Sequence, residues 1–167
     1  MQQPHVDRPQ APEGYGISNG SGPRLSWQFV EGRLRESRNY WLATTRPDGR
    51  PHVTPVWGVW VEGALYVSGI PTTRWARNLA ANPTIAVHLE SGDNVVIVEG
   101  TAADTVTDAA LGERIVAAWN AKYGQFAPEP ATDGIMQVLP RTARAWTDTD
   151  EALADATRFT WKEPPES

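Results

Sequence analysis

Short apolar runs, separated by turn residues, fill most of the chain, and their period changes where helices are expected. Ser26 is placed to cap a helix, with Trp27, Val30 and Leu34 recurring on one face at three- and four-residue spacing. That helix should end near Ser37. Tyr40–Thr45 reads as a short apolar strand, closed by the turn signal Arg46-Pro47-Asp48-Gly49. A long strand is predicted from His52 to Val61, with His52, Thr54 and Val56 on one face and Val53, Pro55 and Trp57 on the other. Pro55 cannot donate to a ladder, so it belongs at an edge or a bulge. Glu62-Gly63 turns the chain into a third strand, Ala64–Ser68.

After Gly69 and Pro71, residues 72–81 read as a helix ended by Asn82-Pro83. Strands follow over 84–90 and 95–102, then a helix capped by Asp108 with Leu111, Ile115 and Trp119 on one stripe. Residues 124–134 read as a loop, 135–139 and 143–147 as two strands, and 158–161 as a last apolar stretch. Successive hairpins with short turns favour antiparallel pairing. The expected fold is mainly β (α+β), a small barrel of about six or seven strands flanked by helices. Residues 1–23, rich in proline and glycine, are expected to be a disordered tail, and 24–162 a single domain.

Composition narrows the chemistry. A length of 167 residues at 40% hydrophobic content supports one core, and no apolar run is long enough to cross a membrane as a helix. The chain opens without the basic and apolar blocks of a secretory signal and contains no cysteine, which fits a cytoplasmic protein. A net charge of −5 argues against nucleic-acid binding. Charge is uneven, however: residues 38–77 hold five arginines (38, 46, 50, 74, 77) against Asp48 and Glu62. Such a segment suits a small anionic ligand, and it equally describes solvated turn arginines.

Several familiar chemistries lack their residues. His5, His52 and His88 are isolated, so no metal-ligand spacing exists. There is no Gly-x-Ser-x-Gly elbow, no Gly-x-Gly-x-x-Gly fingerprint and no Walker loop. The start of the 72–81 helix does offer free N–H groups, the hydroxyls of Thr72 and Thr73, and Arg74, all suited to an anion. The same threonines could equally serve as the helix cap. Eight tryptophans are many for this length and point to core or interface packing.

Four segments together resemble a known family. They are Leu-Ala-Thr-x-Arg-Pro-Asp-Gly-Arg-Pro-His-Val-Thr-Pro-Val-Trp from Leu42, Gly-Ala-Leu-Tyr-Val-Ser from Gly63, Thr-Arg-x-Ala-Arg-Asn-Leu-x-x-Asn-Pro from Thr73, and the hairpin from His88 to Ala102. In this order they resemble the pyridoxamine-phosphate-oxidase-like split barrels that bind FMN or the deazaflavin coenzyme F-420. The resemblance implies a homodimer with its cofactors at the subunit interface. It places His52, Thr54, Pro55 and Val56 against the ring or its side chain, and Ser68, Thr73 and Arg74 at the phosphate end. Family members often carry lysine where Trp75 stands here, removing one phosphate-binding cation; Arg77, one turn on, could compensate. The substrate side would draw on Trp119, Lys122 and Trp161. The activity implied is a deazaflavin-dependent reduction of a small organic substrate. The alternatives are an FMN-dependent oxidoreductase and a non-catalytic cofactor carrier.

Overall fold

The computed structural model describes residues 3–10, 12, 22–105, 108–129, 133–148 and 153–162. In chain order these form β1 (His5–Asp7), α1 (Trp27–Glu36), β2 (Tyr40–Thr45), β3 (Pro51–Val56), β4 (Gly58–Val61) and β5 (Ala64–Ser68), then α2 (Arg74–Ala81), β6 (Thr84–His88), β7 (Asn94–Thr105), α3 (Ala109–Tyr123), β8 (Ile135–Thr147) and β9 (Thr157–Thr160). All pairings are antiparallel. The main path runs β1-β9-β8-β7-β6-β2-β3, with β5 and then β4 branching from β8. One residue, Trp57, joins β3 to β4, so the far end of the path and the end of the branch must lie side by side. This is the antiparallel barrel expected from the hairpin pattern, split as the family resemblance implies, with nine strands among the described residues rather than six or seven.

Three differences from the sequence reading have local causes. The predicted 52–61 strand is two strands in different ladders, β3 on β2 and β4 on β5. The break is held by Tyr123, whose hydroxyl accepts the Gly58 N–H (2.9 Å) and donates to the Arg38 carbonyl (2.7 Å). A Cβ at Gly58 would sit 2.8 Å from the Tyr66 carbonyl oxygen, so the chain passes there only as glycine. Conversely, 135–139 and 143–147 are one strand. The proline that suggests a break, Pro140, lies at a bulge between Glu99 and Gly100 of β7. A Cβ at Gly100 would lie 2.1 Å from the Leu139 carbonyl oxygen.

The third difference corrects the expected disordered tail. His5–Asp7 form an edge strand on β9, and Arg158 clasps Asp7 through two bonds of 2.8 and 2.6 Å. Three residues carry too little periodicity to be read, and their partner lies at the opposite end of the chain. Residues 13–21 of that tail lie outside the described residues.

Two apolar clusters hold the fold. The larger fills the barrel with Leu42, Leu65, Val67, Val87, Val98, Ala143 and Phe159, and receives Trp27, Val30 and Leu34 from α1. Trp27 packs against Phe159 and Trp161, with ring centroids 5.3 and 4.8 Å away. The smaller cluster lies under α3, where Ile115, Trp119 and Tyr123 cover Val59, Tyr66 and Ile135. Asp108 caps α3 through the Ala110 N–H (2.9 Å), and Gly124 ends it in the left-handed conformation (φ 69°).

Candidate functional site

The β2–β3 hairpin register decides which side chains share a face. Tyr40, Leu42 and Thr44 stand opposite Val56, Thr54 and His52, so these six project from the same side of the hairpin. Helix α2 lies against that side: the Asn78 side-chain amide donates to the Thr44 hydroxyl at 3.0 Å. The Thr44 hydroxyl in turn donates to the His52 carbonyl at 3.4 Å. Pro55 pairs with Trp41 on the other face, together with Val53, whose side chain is 52% exposed. Of the four predicted β3 contacts, three therefore share the α2-facing side and Pro55 does not.

The loop from Ser68 to Thr73 brings the end of β5 to the start of α2. Its geometry depends on Gly69, where a Cβ would lie 2.4 Å from the Trp75 ring. Trp75 itself is only 7% exposed and belongs to the main core. With Leu79, Ala102, Ile135 and Met136 it lines a cavity of about 460 Å³ beneath the helix. The tryptophan at the position where lysine was expected is thus an anchor for α2, turned inward. Arg74 and Arg77 both lie exposed on the helix surface, and neither has a carboxylate partner among the described residues.

Thr73 occupies the N-cap position of α2, yet its hydroxyl makes no capping bond. The first helical bond runs from the Arg77 N–H to the Thr73 carbonyl (3.1 Å), so the N–H groups of Arg74, Trp75 and Ala76 precede it. No acidic residue lies in the first turn. The choice that the sequence left open, cap or anion contact, is narrowed here, because Thr73 Oγ is buried and has no partner.

That atom is one of a set. Among the described residues, the buried side-chain polar atoms without a partner are Arg46 Nε, His52 Nδ1, Thr73 Oγ1, Asn78 Oδ1 and Trp119 Nε1. The first four belong to the β2–β3 hairpin and α2, and only Trp119 lies elsewhere. An unpaired buried polar group costs roughly 1–3 kcal/mol, so four spread over the cradle that α2 and the hairpin form call for partners that the described residues do not supply. Ser68 ends β5 half-buried beside the same loop.

Thr44, Arg46 and Asn78 were not singled out by sequence. Arg46 and Arg50 looked alike as turn arginines, but Arg50 is the one that bonds Asp48, its Nε and Nη2 both donating to Oδ2 (3.0 and 2.7 Å). Asn78 sat within a helix pattern as an ordinary polar residue. The legible signal was its spacing: it precedes Leu79, which packs in the core, and shares the buried side of α2.

Behind the cradle, Lys122 stitches α3 to the hairpin. Its Nζ donates to the carbonyls of Ser37 (2.9 Å) and Gly58 (3.2 Å) and to the Tyr40 hydroxyl (2.8 Å). Burial pushes its pKa down to about 8. Burial also raises the phenols of Tyr40 and Tyr123. With all its protons donated to the framework, Lys122 is a structural cation. The three residues expected at the substrate side do not converge within one chain: Trp119 is buried under α3, Lys122 is internal, and Trp161 packs on Trp27.

Comparison with known proteins gives a consistent frame. Residues 27–150 match the family described as pyridoxamine 5'-phosphate oxidase. No curated protein matches the chain. Among solved structures, a conserved hypothetical protein from Mycobacterium tuberculosis is 24% identical over 79% of this chain and 91% of its own, with a TM-score of 0.64. An F-420 reductase is 29% identical over 68% of this chain and 94% of its own, with a TM-score of 0.54. A haem storage protein from Vibrio cholerae, 20% identical over 71% and 91% of the two chains with a TM-score of 0.58, shares the fold alone.

Proposed function

The chain belongs to the pyridoxamine 5'-phosphate oxidase family, and on that premise we propose that it is an oxidoreductase using the deazaflavin coenzyme F-420 to reduce a small conjugated organic substrate. The observation that carries the reading is the Thr73 hydroxyl, buried and unpartnered at the start of a helix with no acid in its first turn. An anion there meets free N–H groups, the positive end of the helix dipole and two exposed guanidiniums, Arg74 and Arg77. The residues present therefore fit a phosphate-bearing cofactor without a lysine at position 75. In this reading Ser68, Thr73, Arg74 and Arg77 hold the phosphate end. His52, Thr54 and Val56 lie along the ring. Pro55, on the far side of β3, shapes the strand rather than touching the ring.

When bound, such a ring supplies two-electron hydride transfer, which leaves the protein to bind, orient and exclude water. That division of labour accounts for a site of arginines, hydroxyls and amides with no acid–base pair. The preference for F-420 over FMN rests on the 29% identical F-420 reductase. The subunit arrangement in this reading is a homodimer. Val53, half-exposed on the β3 face turned away from α2, gives a second copy an apolar strip to cover.

Titration of the purified protein with F-420 and with FMN, followed by cofactor fluorescence, tests the proposal. F-420 should bind more tightly, and Arg74→Ala should weaken it about tenfold or more, since a charge-assisted contact is worth ~1.5–3 kcal/mol. Binding of neither cofactor would overturn the reading. Tighter binding of FMN would reassign the cofactor.

A further inference from the structure

The geometry points to a second binding site on α2, on the flank away from the hairpin: the hollow that Trp75 walls is a seat for an uncharged, flat aromatic molecule of two or three fused rings. The inference does not depend on the cofactor reading above, because the two sites share no residue.

Helix α2 has two distinct sides. At about 100° per residue, Arg74, Arg77 and Asn78 fall within an arc of about 100°, and Asn78 bonds the hairpin through Thr44. Trp75, Ala76, Leu79 and Ala80 fill an opposite arc of about 140°, and all four line the cavity of about 460 Å³. The chain closes this hollow on three sides. One wall is the helix, and a second is the β7–β8 ladder. At the end, the 69–71 loop meets Gly134, where a Cβ would lie 3.7 Å from the Gly69 carbonyl oxygen and 3.9 Å from Pro71 Cγ. Side-chain size leaves the space open: the helix offers only methyl groups at Ala76 and Ala80, and β7 only those of Ala102 and Ala103. Pro71, Ala80, Pro83 and Ala103 are exposed, so the remaining side admits a ligand from solvent.

The lining selects the chemistry. Among the described residues, none that lines the hollow carries a charge, a hydroxyl or a side-chain amide. Apart from the Trp75 indole N–H, its polar groups are peptide groups. An ionised ligand would give up its hydration there with no counter-charge in return. Water finds few partners in such a lining, and its displacement by an apolar group is favourable. A cavity of roughly 150 Å³ takes one benzene ring, so about 460 Å³ suits two or three fused rings. The indole in the wall favours a flat aromatic ligand over a branched aliphatic one, since ring pairs gain from stacked and edge contacts. A single hydroxyl or ketone on such a ligand could still be met by the peptide groups.

The probe is 2-naphthol, titrated calorimetrically into the full-length protein at pH 7, where it is uncharged. Saturable binding is expected. Added as a competitor, 2-naphthoate, the same rings bearing a carboxylate, should occupy the site at least about tenfold more weakly. Ala80→Phe and Ala103→Phe fill the hollow from opposite walls, each from an exposed position, and each should weaken 2-naphthol at least about tenfold. Circular dichroism shows which variant keeps the native fold, and either one that does decides the matter. Arg74→Ala, on the other side of the helix, should bind 2-naphthol as the wild type does. Absence of saturable binding to the wild type would overturn the site, as would wild-type affinity in a natively folded Phe variant. Equal occupancy by 2-naphthoate would overturn the ligand class. A loss in Arg74→Ala that matches the Phe variants would put the probe in the hairpin cradle and overturn the second site.

Discussion

Lys122 makes the stability of this protein depend on pH in a window where few other groups titrate. Unfolded, its ammonium has the ordinary pKa of 10.5; folded, burial brings it to about 8. Between those values the unfolded chain binds more protons than the folded one, so stability rises with pH. Below pH 8 the folded state bears the full cost of a desolvated ammonium with no carboxylate partner. For a fully buried ammonium, the fall from 10.5 to about 8 would correspond to ~3.4 kcal/mol at 1.36 kcal/mol per pH unit. Lys122 is only half-buried, and its ammonium lies 4.9 Å from the centre of the Tyr40 ring, a contact that favours the charged form. Solvent screening and that contact reduce the expected gain to about 1–2 kcal/mol. The upper limit comes from the tyrosines. Tyr40 and Tyr123 are raised above the ordinary phenol value of 10.0 by burial, so above that pH the unfolded chain loses protons first and stability falls again. With no cysteine in the chain, the interval is otherwise quiet. Urea unfolding followed by tryptophan fluorescence should therefore give a midpoint that climbs from pH 8 to about pH 10 and then declines. In Lys122→Met, which keeps the packed stem but removes the charge, the climb should vanish. A flat profile in the wild type, or the same climb in the variant, would refute the assignment.

Two further outcomes follow from packing. Gly69→Ala should destabilise the protein by ~1–3 kcal/mol and move Trp75, because the added methyl would lie 2.4 Å from its ring; a red shift in tryptophan emission with a lowered urea midpoint checks it, and an unchanged spectrum counts against the contact. Removing residues 1–10 deletes β1, its Asp7–Arg158 pair and the partly buried Val6. A loss of ~1–2 kcal/mol in urea unfolding is expected, and no loss would mean that the edge strand adds nothing.

Much of the fold was legible because it is written in local signals. The α1 stripe of Trp27, Val30 and Leu34, the Asp-Gly turn at 48–49, and the Asp108 cap all appear as read. What escaped was non-local. Nothing around Trp57 announces that β3 and β4 belong to different ladders, because the cause is a tyrosine hydroxyl supplied 65 residues later. The same holds for the site. Thr72, Thr73 and Arg74 could be picked out as a candidate anion seat at a helix start, and Ser68 only through the family resemblance. Asn78 and Thr44 gain meaning only when α2 is laid across the hairpin, and Trp75 proves to face the core only when its contact with Gly69 is seen.

The pairing of β1 with β9 has a consequence for how the protein is made. Asp7 and Arg158 are 151 residues apart, yet each is the other's partner. At a synthesis rate of 5–20 residues per second, β1 waits roughly 8–30 s on the ribosome before the strand it pairs with exists. The barrel can collapse around Trp27, Leu42 and Val98 in that time, but Phe159 is the last of the core side chains to arrive. Closure of this fold must therefore wait for β9, and the apolar slot awaiting that strand is the surface on which a nascent-chain chaperone would find its longest opportunity.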